Sequence, residues 1–401
     1  MERCVPVVST NNKIKVRNQS HIPDDLFFSI LSKLPIKSLK RFGCVRKSWS
    51  FLIDNPHFMT LYRNSFLTND NSYYDDTSLL LHKKIEPQDS DDFHEETFEL
   101  YSDSGERFEN MVKLDWPSIK FDPMYWDNPE YDSGFNILGS CSVHGTLCLL
   151  CARQKNIILW NPTTREFKLL PPSPFDYGPN WAVVVDHHGF GYDCVNGDYK
   201  VMCHGIVIGE INYSPYMWEI YSLRSNSWRK LDVNMEYKPI GDQVCIDGFS
   251  HCLCKSATHN EAYLLSFDLS NEIFLATPIP SDMDDLFHNF SVWIHLVLLN
   301  GSIALILNYR DTFTFHISIL GDLGVKESWT KIFIVGPLPC LEYPIGVGKK
   351  GDMLFRKKDG GLVRFDLNTQ KIEELGIIIE RFCCKILIHK ENLLPFEGAD
   401  I

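Results

Sequence analysis

No segment of this 401-residue chain is apolar for long enough to read as a membrane span. The longest apolar region, Val292 to Leu307, is broken by His295 and by Asn300-Gly301, whereas a spanning helix needs about 20 largely apolar residues. The first twenty residues, MERCVPVVSTNNKIKVRNQS, lack the apolar centre of a secretory leader. Low-complexity tracts are missing. So are the short motifs of phosphate, hydrolase and metalloprotease chemistry: no glycine-rich phosphate loop, no G-x-S-x-G and no H-E-x-x-H. A soluble intracellular protein is expected, in the cytoplasm or nucleus, with no membrane contact, no cofactor and no catalytic centre of its own.

Cysteine occurs thirteen times but without a pairing pattern. An odd, scattered set within apolar runs fits reduced, buried thiols. Cys148-Leu149-Leu150-Cys151 has C-x-x-C spacing. Residues three apart on a strand point to opposite faces, however, and no second such pair completes a four-ligand metal site. His144 shares a face with Cys148, and His251-Cys252-Leu253-Cys254 is a similar short cluster; both read as core. His187-His188 reads as a solvated loop pair, and Arg356-Lys357-Lys358 before Asp359-Gly360-Gly361 as a charged hairpin turn.

Positive charge is scarce in most of the chain. Of the formal −13, residues 1–20 carry +3 and residues 21–66 carry +4, which leaves −20 on the rest. A body that acidic argues against nucleic acid, because phosphate binding needs cations, and it steers toward a basic protein. The same excess of acid also serves plain solubility.

What the chain does have is concentrated first in residues 21–66. Pro23 suits a first helical turn, and Asp24 and Asp25 favour its positive dipole end. Leu26, Phe27, Ile30, Leu31 and Leu34 follow at helical spacing, and Pro35 ends that helix. A second short helix carries Leu39, Phe42 and Val45, and a third carries Trp49, Leu52 and Ile53. Asn55-Pro56 caps a fourth, with Phe58, Leu61 and Tyr62 along it. A unit this small cannot bury so much apolar surface alone, so it needs a partner.

The run I-P-x-D-L-x-x-x-I-L-x-x-L-P-x-K-S-L-x-R-F-x-C-V-x-K-x-W-x-x-L-I-x-x-P-x-F resembles the plant F-box almost end to end. It departs at Ser29, where many members have Glu, and at Arg46, where Cys or Ser is common. The resemblance implies docking on a Skp-family adaptor, and through it on a cullin–RING ubiquitin ligase. It places Ile22, Pro23, Leu26, Ile30, Leu31, Leu34, Pro35, Leu39, Phe42, Val45, Trp49, Leu52 and Ile53 in the adaptor-binding register, with Trp49, Leu31 and Pro35 as leading contacts.

From about residue 77 the pattern becomes alternating strands punctuated by Gly, Asn and Asp. Gly145, Gly197, Gly248, Gly301 and Gly351 recur at intervals of 52, 51, 53 and 50 residues. Each opens or precedes an apolar strand, and Asn-Gly or Asp-Gly suits two-residue hairpins. A strand–turn–strand unit also recurs once per period, as in ILWNPTTREFKLL, WEIYSLRSNSWRKL, YLLSFDLSNEIFLA and LVRFDLNTQKIEEL. A period of about 50 residues with four strands is the size of a kelch-type propeller blade. Residues 77–120 and 380–394 pair to close the ring and hide its edges. Six blades are preferred, with five and seven open. The expected fold is α+β multidomain: residues 1–20 a flexible N-terminus, 21–66 the helical F-box, 77–394 the all-β kelch-like propeller and 395–401 a tail.

HGTLCLL…IILWNPTTREFKLLP, HGFGYDCVNGDYKVM and the repeating units resemble the plant F-box-associated interaction domain, which S-locus F-box proteins also carry. That family captures substrates for ubiquitination, so the resemblance implies a non-catalytic substrate receptor of an SCF-type ligase. Strand order puts the tight turns on one face of the ring. The longer segments lie on the other: Pro171–Gly189, His204–Met217, Asp232–Asp247, Ala276–Phe290 and Gly336–Gly346. Long loops on a rigid scaffold are the usual binding surface. Tyr177, Trp181, Tyr213, Tyr216, Asp284, Phe287 and Tyr343 are its candidate substrate contacts. An adaptor-bound scaffold or competitor that does not drive degradation, and a sugar-binding propeller, are the alternatives.

Overall fold

The computed structural model describes residues 24–34, 38–39, 41–42, 51, 55–68, 77–85, 97–105, 107–119, 135–151, 156–174, 182–208, 213–232, 237–256, 262–279, 292–379 and 384–394. The chain divides into two compact units, Met1–Asp70 and Asn71–Ile401.

In the first unit, α1 spans Asp24–Leu31 and α2 spans Pro56–Thr68. After α1 the chain tightens, with Lys33 and Leu34 donating to the carbonyls of Ile30 and Leu31 just before Pro35. α2 starts where its cap is written. The Asn55 side-chain oxygen accepts from the backbone N–H of His57 at 2.9 Å and of Phe58 at 3.1 Å. Phe28 meets Phe58 edge-on at 5.9 Å between ring centroids, and Phe58 stacks on Tyr62 at 6.2 Å.

The second unit is built of strands. β1 (Thr77–Ile85), β2 (Thr97–Asp103) and β3 (Val112–Leu114) form a meander. β4 (Asn136–Val143), β5 (Thr146–Cys151), β6 (Asn156–Trp160) and β7 (Phe167–Leu169) form the next. Then come β8 (Ala182–Asp193), β9 (Asp198–Ile208), β10 (Tyr213–Ser222) and β11 (Ser227–Leu231); β12 (Tyr237–Ile246), β13 (Phe249–Ser256), β14 (Ala262–Asp268) and β15 (Ile273–Pro278); β16 (Val292–Leu299), β17 (Ser302–Tyr309), β18 (Thr314–Leu320) and β19 (Trp329–Val335); and β20 (Leu341–Val347), β21 (Met353–Lys357), β22 (Gly361–Phe365) and β23 (Ile372–Ile378). β24 (Cys384–Lys390) returns to the start of the unit. It lies antiparallel to β1, with Thr77 opposite Lys390 and Lys83 opposite Cys384, and touches β4 in parallel at Ile388 and Cys141. The two ends thus share one blade, as the sequence pattern requires.

Neighbouring blades interlock through their flanks. Leu80 and Leu387 pack with Ile137 and Leu149; Cys148 and Leu159 with Val201 and Tyr221; Met202 and Ile220 with Phe267 and Leu269. Leu253 and Leu264 then pack with Leu296 and Leu305, Ile306 with Phe355, and Leu354 with Leu79 and Ile386, which returns the contacts to the first blade. A blade has two apolar faces, so only neighbours on both sides can bury them.

Two turn types repeat. Between first and second strands, His144-Gly145, Asp247-Gly248 and Asn300-Gly301 have both residues at positive φ, the geometry of a type I′ hairpin. Between third and fourth strands, a side-chain oxygen folds the turn. Asn161 accepts from the backbone of Thr163, Asp268 from Ser270 and Asn271, and Asp366 from Asn368 and Thr369, all at 2.8 to 3.0 Å.

Several segments read from sequence as long loops are strands. β8 takes up Ala182–Asp193, including His187 and His188, and β12 takes up Tyr237–Ile246. β20 takes up Leu341–Val347, and β9 runs on to Ile208 and β10 begins at Tyr213. The Cys141 thiol on β4 lies 3.8 Å from the Cys245 carbonyl oxygen on β12. Gln243 holds β8: its side chain accepts from Phe190 N–H at 3.0 Å and donates to Phe190 O at 3.1 Å and Ser250 Oγ at 2.7 Å.

Candidate functional site

The helical unit presents a divided helix. Phe28 of α1 meets Phe58 of α2 edge-on, and Leu31, Phe58 and Tyr62 are buried. Leu26 and Ile30, one turn apart on the other side, are 58% and 57% exposed. Phe51 is 65% exposed. The thirteen residues placed in one adaptor-binding register therefore fall into different environments. Leu31 and Leu39 are buried within the unit. Leu34 and Phe42 are half-buried. Ile22, Pro23, Pro35, Val45, Trp49, Leu52 and Ile53 lie outside the described residues. Phe51 falls between Trp49 and Leu52 in sequence, off the apolar spacing.

On the loop face, Tyr177, Trp181, Asp284 and Phe287 also lie outside the described residues. Tyr213 and Tyr216 are strand residues of β10, in register with Ile208 and Ile206 of β9. Tyr343 is a correction. It belongs to β20, is 8% exposed, and its ring lies 6.1 Å from that of Trp293. A residue that buried in an inner strand packs the ring and is no loop-tip anchor.

The sulfur and histidine clusters are core. None of the described cysteines is in a disulfide. Burial pushes the thiols of Cys148, Cys203 and Cys254 well above their ordinary value, which suppresses thiolate chemistry. Among the described residues no three His, Cys, Asp or Glu groups converge to hold a metal.

His251 sits on β13, with Nδ1 2.8 Å from Ser266 Oγ, and burial lowers its pKa from 6.5 to about 4. A depressed value means the folded chain resists the proton that the unfolded chain takes up. Its contribution is present in full above pH 6.5 and is lost as pH falls toward 4. Over that window the loss amounts to about 3 kcal/mol at most. His251→Gln is expected to flatten that part of the stability–pH curve, read by urea unfolding between pH 4 and 7. A variant whose curve keeps the wild-type slope contradicts the assignment.

The fold defines a class: a small helical unit followed in the chain by a β-propeller. The chain belongs to the F-box-associated β-propeller family, whose model matches residues 127–359, and the F-box domain model matches residues 19–61. Among relatives, F-box protein CPR1 of Arabidopsis thaliana is 24% identical over 384 residues, covering 89% of this chain and 84% of that protein. F-box protein At1g52495 of the same plant is 26% identical over 280 residues, covering 66% of this chain and 58% of that protein. A solved structure, TolB from Acinetobacter baumannii, aligns over 83% of this chain and 72% of that one, at 10% identity and a TM-score of 0.44. The paired domains and F-box relatives support a substrate-adaptor role in SCF-type ligases, and proteins of this family are typically non-catalytic. Among the described residues no helix is long and apolar enough to cross a membrane.

Proposed function

We propose that this chain is the substrate-recognition subunit of an SCF-type cullin–RING ubiquitin ligase. The helical unit docks on a Skp-family adaptor, and the loop face of the propeller holds the protein to be marked. The bond-forming chemistry belongs to the conjugating enzyme; this chain supplies proximity and orientation.

The observation that carries the reading is the divided α1. Leu31 on one side of it is buried, while Leu26 and Ile30 on the other are left in water within the segment matched by the F-box model. Covering a large aliphatic side chain contributes about 1.5–3 kcal/mol, so this pair favours an outside apolar partner.

The test co-expresses the full-length chain with the adaptor. Leu26→Asp with Ile30→Asp is expected to weaken adaptor capture by about 100-fold, on the scale of losing interface anchors. Its thermal unfolding should stay unchanged, because both positions are already exposed. Leu31→Ala is expected to do the opposite first, costing about 2–4 kcal/mol of stability in the helical unit. A double variant that co-purifies with adaptor at the wild-type level refutes the docking model. Accumulation of captured proteins in cells lacking this chain separates a degradation receptor from a scaffold.

A further inference from the structure

Two cations on the loop face stand over aromatic rings instead of pairing with acids. The Arg310 guanidinium lies 4.9 Å from the ring centroid of Trp293, and the Lys358 ammonium lies 4.6 Å from that of Phe313. Neither is within ion-pair distance of a described carboxylate, although residues 67–401 carry a formal −20. Other nearby cations are committed. Arg356 is buried and held by Glu342, and Lys357 pairs with Glu374 at 2.9 Å and Asp359 at 3.0 Å. Asp311 is exposed on the same turn as Arg310.

The two pairs form one surface. Tyr309 is opposite Thr314 where β17 turns into β18, so Arg310 and Phe313 stand at the two feet of the turn. The Phe313 carbonyl accepts from Leu338 N–H at 2.8 Å, and the Cys340 carbonyl accepts from Lys358 N–H at 3.0 Å. Segments 310–313, 336–340 and 358–360 are thereby fastened together. Arg310, Phe313, Cys340 and Lys358 are exposed, and Trp293 is half-buried.

A cation resting on a ring keeps a fixed position while its outward side stays hydrated and open to an anion. An acidic segment is repelled by most of the propeller and attracted here, which fixes where and how it lands. We propose that this surface takes an acidic, apolar-centred segment of the captured protein, with carboxylates against Arg310 and Lys358 and one aliphatic side chain against Phe313. The inference rests on reading this face as the substrate face. It reverses locally the basic partner that the bulk charge favours.

The test uses the full-length chain and the fluorescein-labelled peptide Gly-Glu-Glu-Leu-Glu-Glu-Gly, read by anisotropy. Matched peptides carry Lys or phosphoserine in place of Glu. The Glu peptide is expected to bind, more weakly as salt rises, and the Lys peptide is not. Arg310→Glu with Lys358→Glu should weaken binding by about tenfold or more, while Arg310→Lys with Lys358→Arg retains it. All four substitutions are at exposed positions, and a thermal melt checks that folding is intact. The proposal is overturned if the Glu peptide fails to bind, binds the charge-reversed variant equally, or loses to the Lys or phosphoserine peptide. Adaptor capture is measured on the same preparations and stays at the wild-type level; its failure counts against the receptor reading and leaves this surface standing.

Discussion

A chain ending at residue 383 is expected not to fold its propeller. The missing segment holds β24, the strand through which the first blade uses both chain ends. It buries Ile386, Leu387, Ile388 and Leu393, with Leu387 fully enclosed between Leu80, Ile137 and Leu149. Burying four aliphatic side chains is worth about 6–12 kcal/mol, comparable with the whole stability of a typical domain, about 5–15 kcal/mol. Deletion also opens an edge on β1, whose seven paired residues lose their partner strand. Beyond β24 the chain latches onto the next blade. The Asn392 side-chain amide donates to His144 O at 2.6 Å, and the Asn161 amide donates to Asn392 O at 3.0 Å. Gly145 shows how tight the latch is: φ is +76°, and an added Cβ would lie 2.4 Å from Asn392 Cβ and 2.8 Å from Lys390 O. The truncated chain should lose cooperative melting by circular dichroism and be digested by trypsin within the propeller. Wild-type protection in the truncated chain would mean that ring closure contributes little.

The ring and its closure were legible in the sequence because they depend on local chemistry. Hairpin dipeptides, side-chain-folded turns and glycines about 50 residues apart are written in consecutive residues. The inner strands were less legible. β8, β12 and β20 were read as loops, and each carries an irregularity in its pairing: between Val185 and His187, between Ile240 and Gln243, and at Leu341/Tyr343 and Pro344/Gly346. A bulge shifts the alternation by one residue, so the period-two signal cancels where the strand is most buried. In the helical unit, spacing revealed α1 but not its sides. Leu26 and Leu31 look alike in sequence, and only the folded unit, in which Leu31 is buried and Leu26 exposed, tells them apart. The cation–aromatic pairs were hidden for a similar reason: Trp293, Arg310, Phe313 and Lys358 come from three separate segments of a chain whose net charge has the opposite sign.

Lys200→Met is expected to cost about 3 kcal/mol, through a buried carboxylate left without its cation. Lys200 is buried on β9. Its ammonium donates to Asp193 at 2.8 Å, to Glu272 at 2.9 Å and to the Leu269 carbonyl at 2.6 Å. Those partners belong to two blades, so the cation ties the β8–β9 turn to the β14–β15 turn. Burial pushes the Asp193 carboxyl up. Hydrogen bonds from Lys200, Asn196 and Ser270 outweigh that effect and hold it well below the usual carboxylate range. Breaking one side of a buried pair typically costs about 3–5 kcal/mol, and the donors that Asp193 keeps place this case at the low end. A depressed carboxylate stabilises above its unfolded pKa and stops doing so as acid protonates the folded group. In Lys200→Met the carboxyl should titrate higher, so the variant's deficit shrinks as pH falls from 6 to 3. Adding Asp193→Asn removes the stranded charge and should recover at least half of the loss, because paired removal is far cheaper than removing one partner. Urea midpoints at pH 7 for the two single variants and the double variant make the cycle. Additive losses, or a Lys200→Met cost below about 1 kcal/mol, would show that this inter-blade cation is tolerated rather than required.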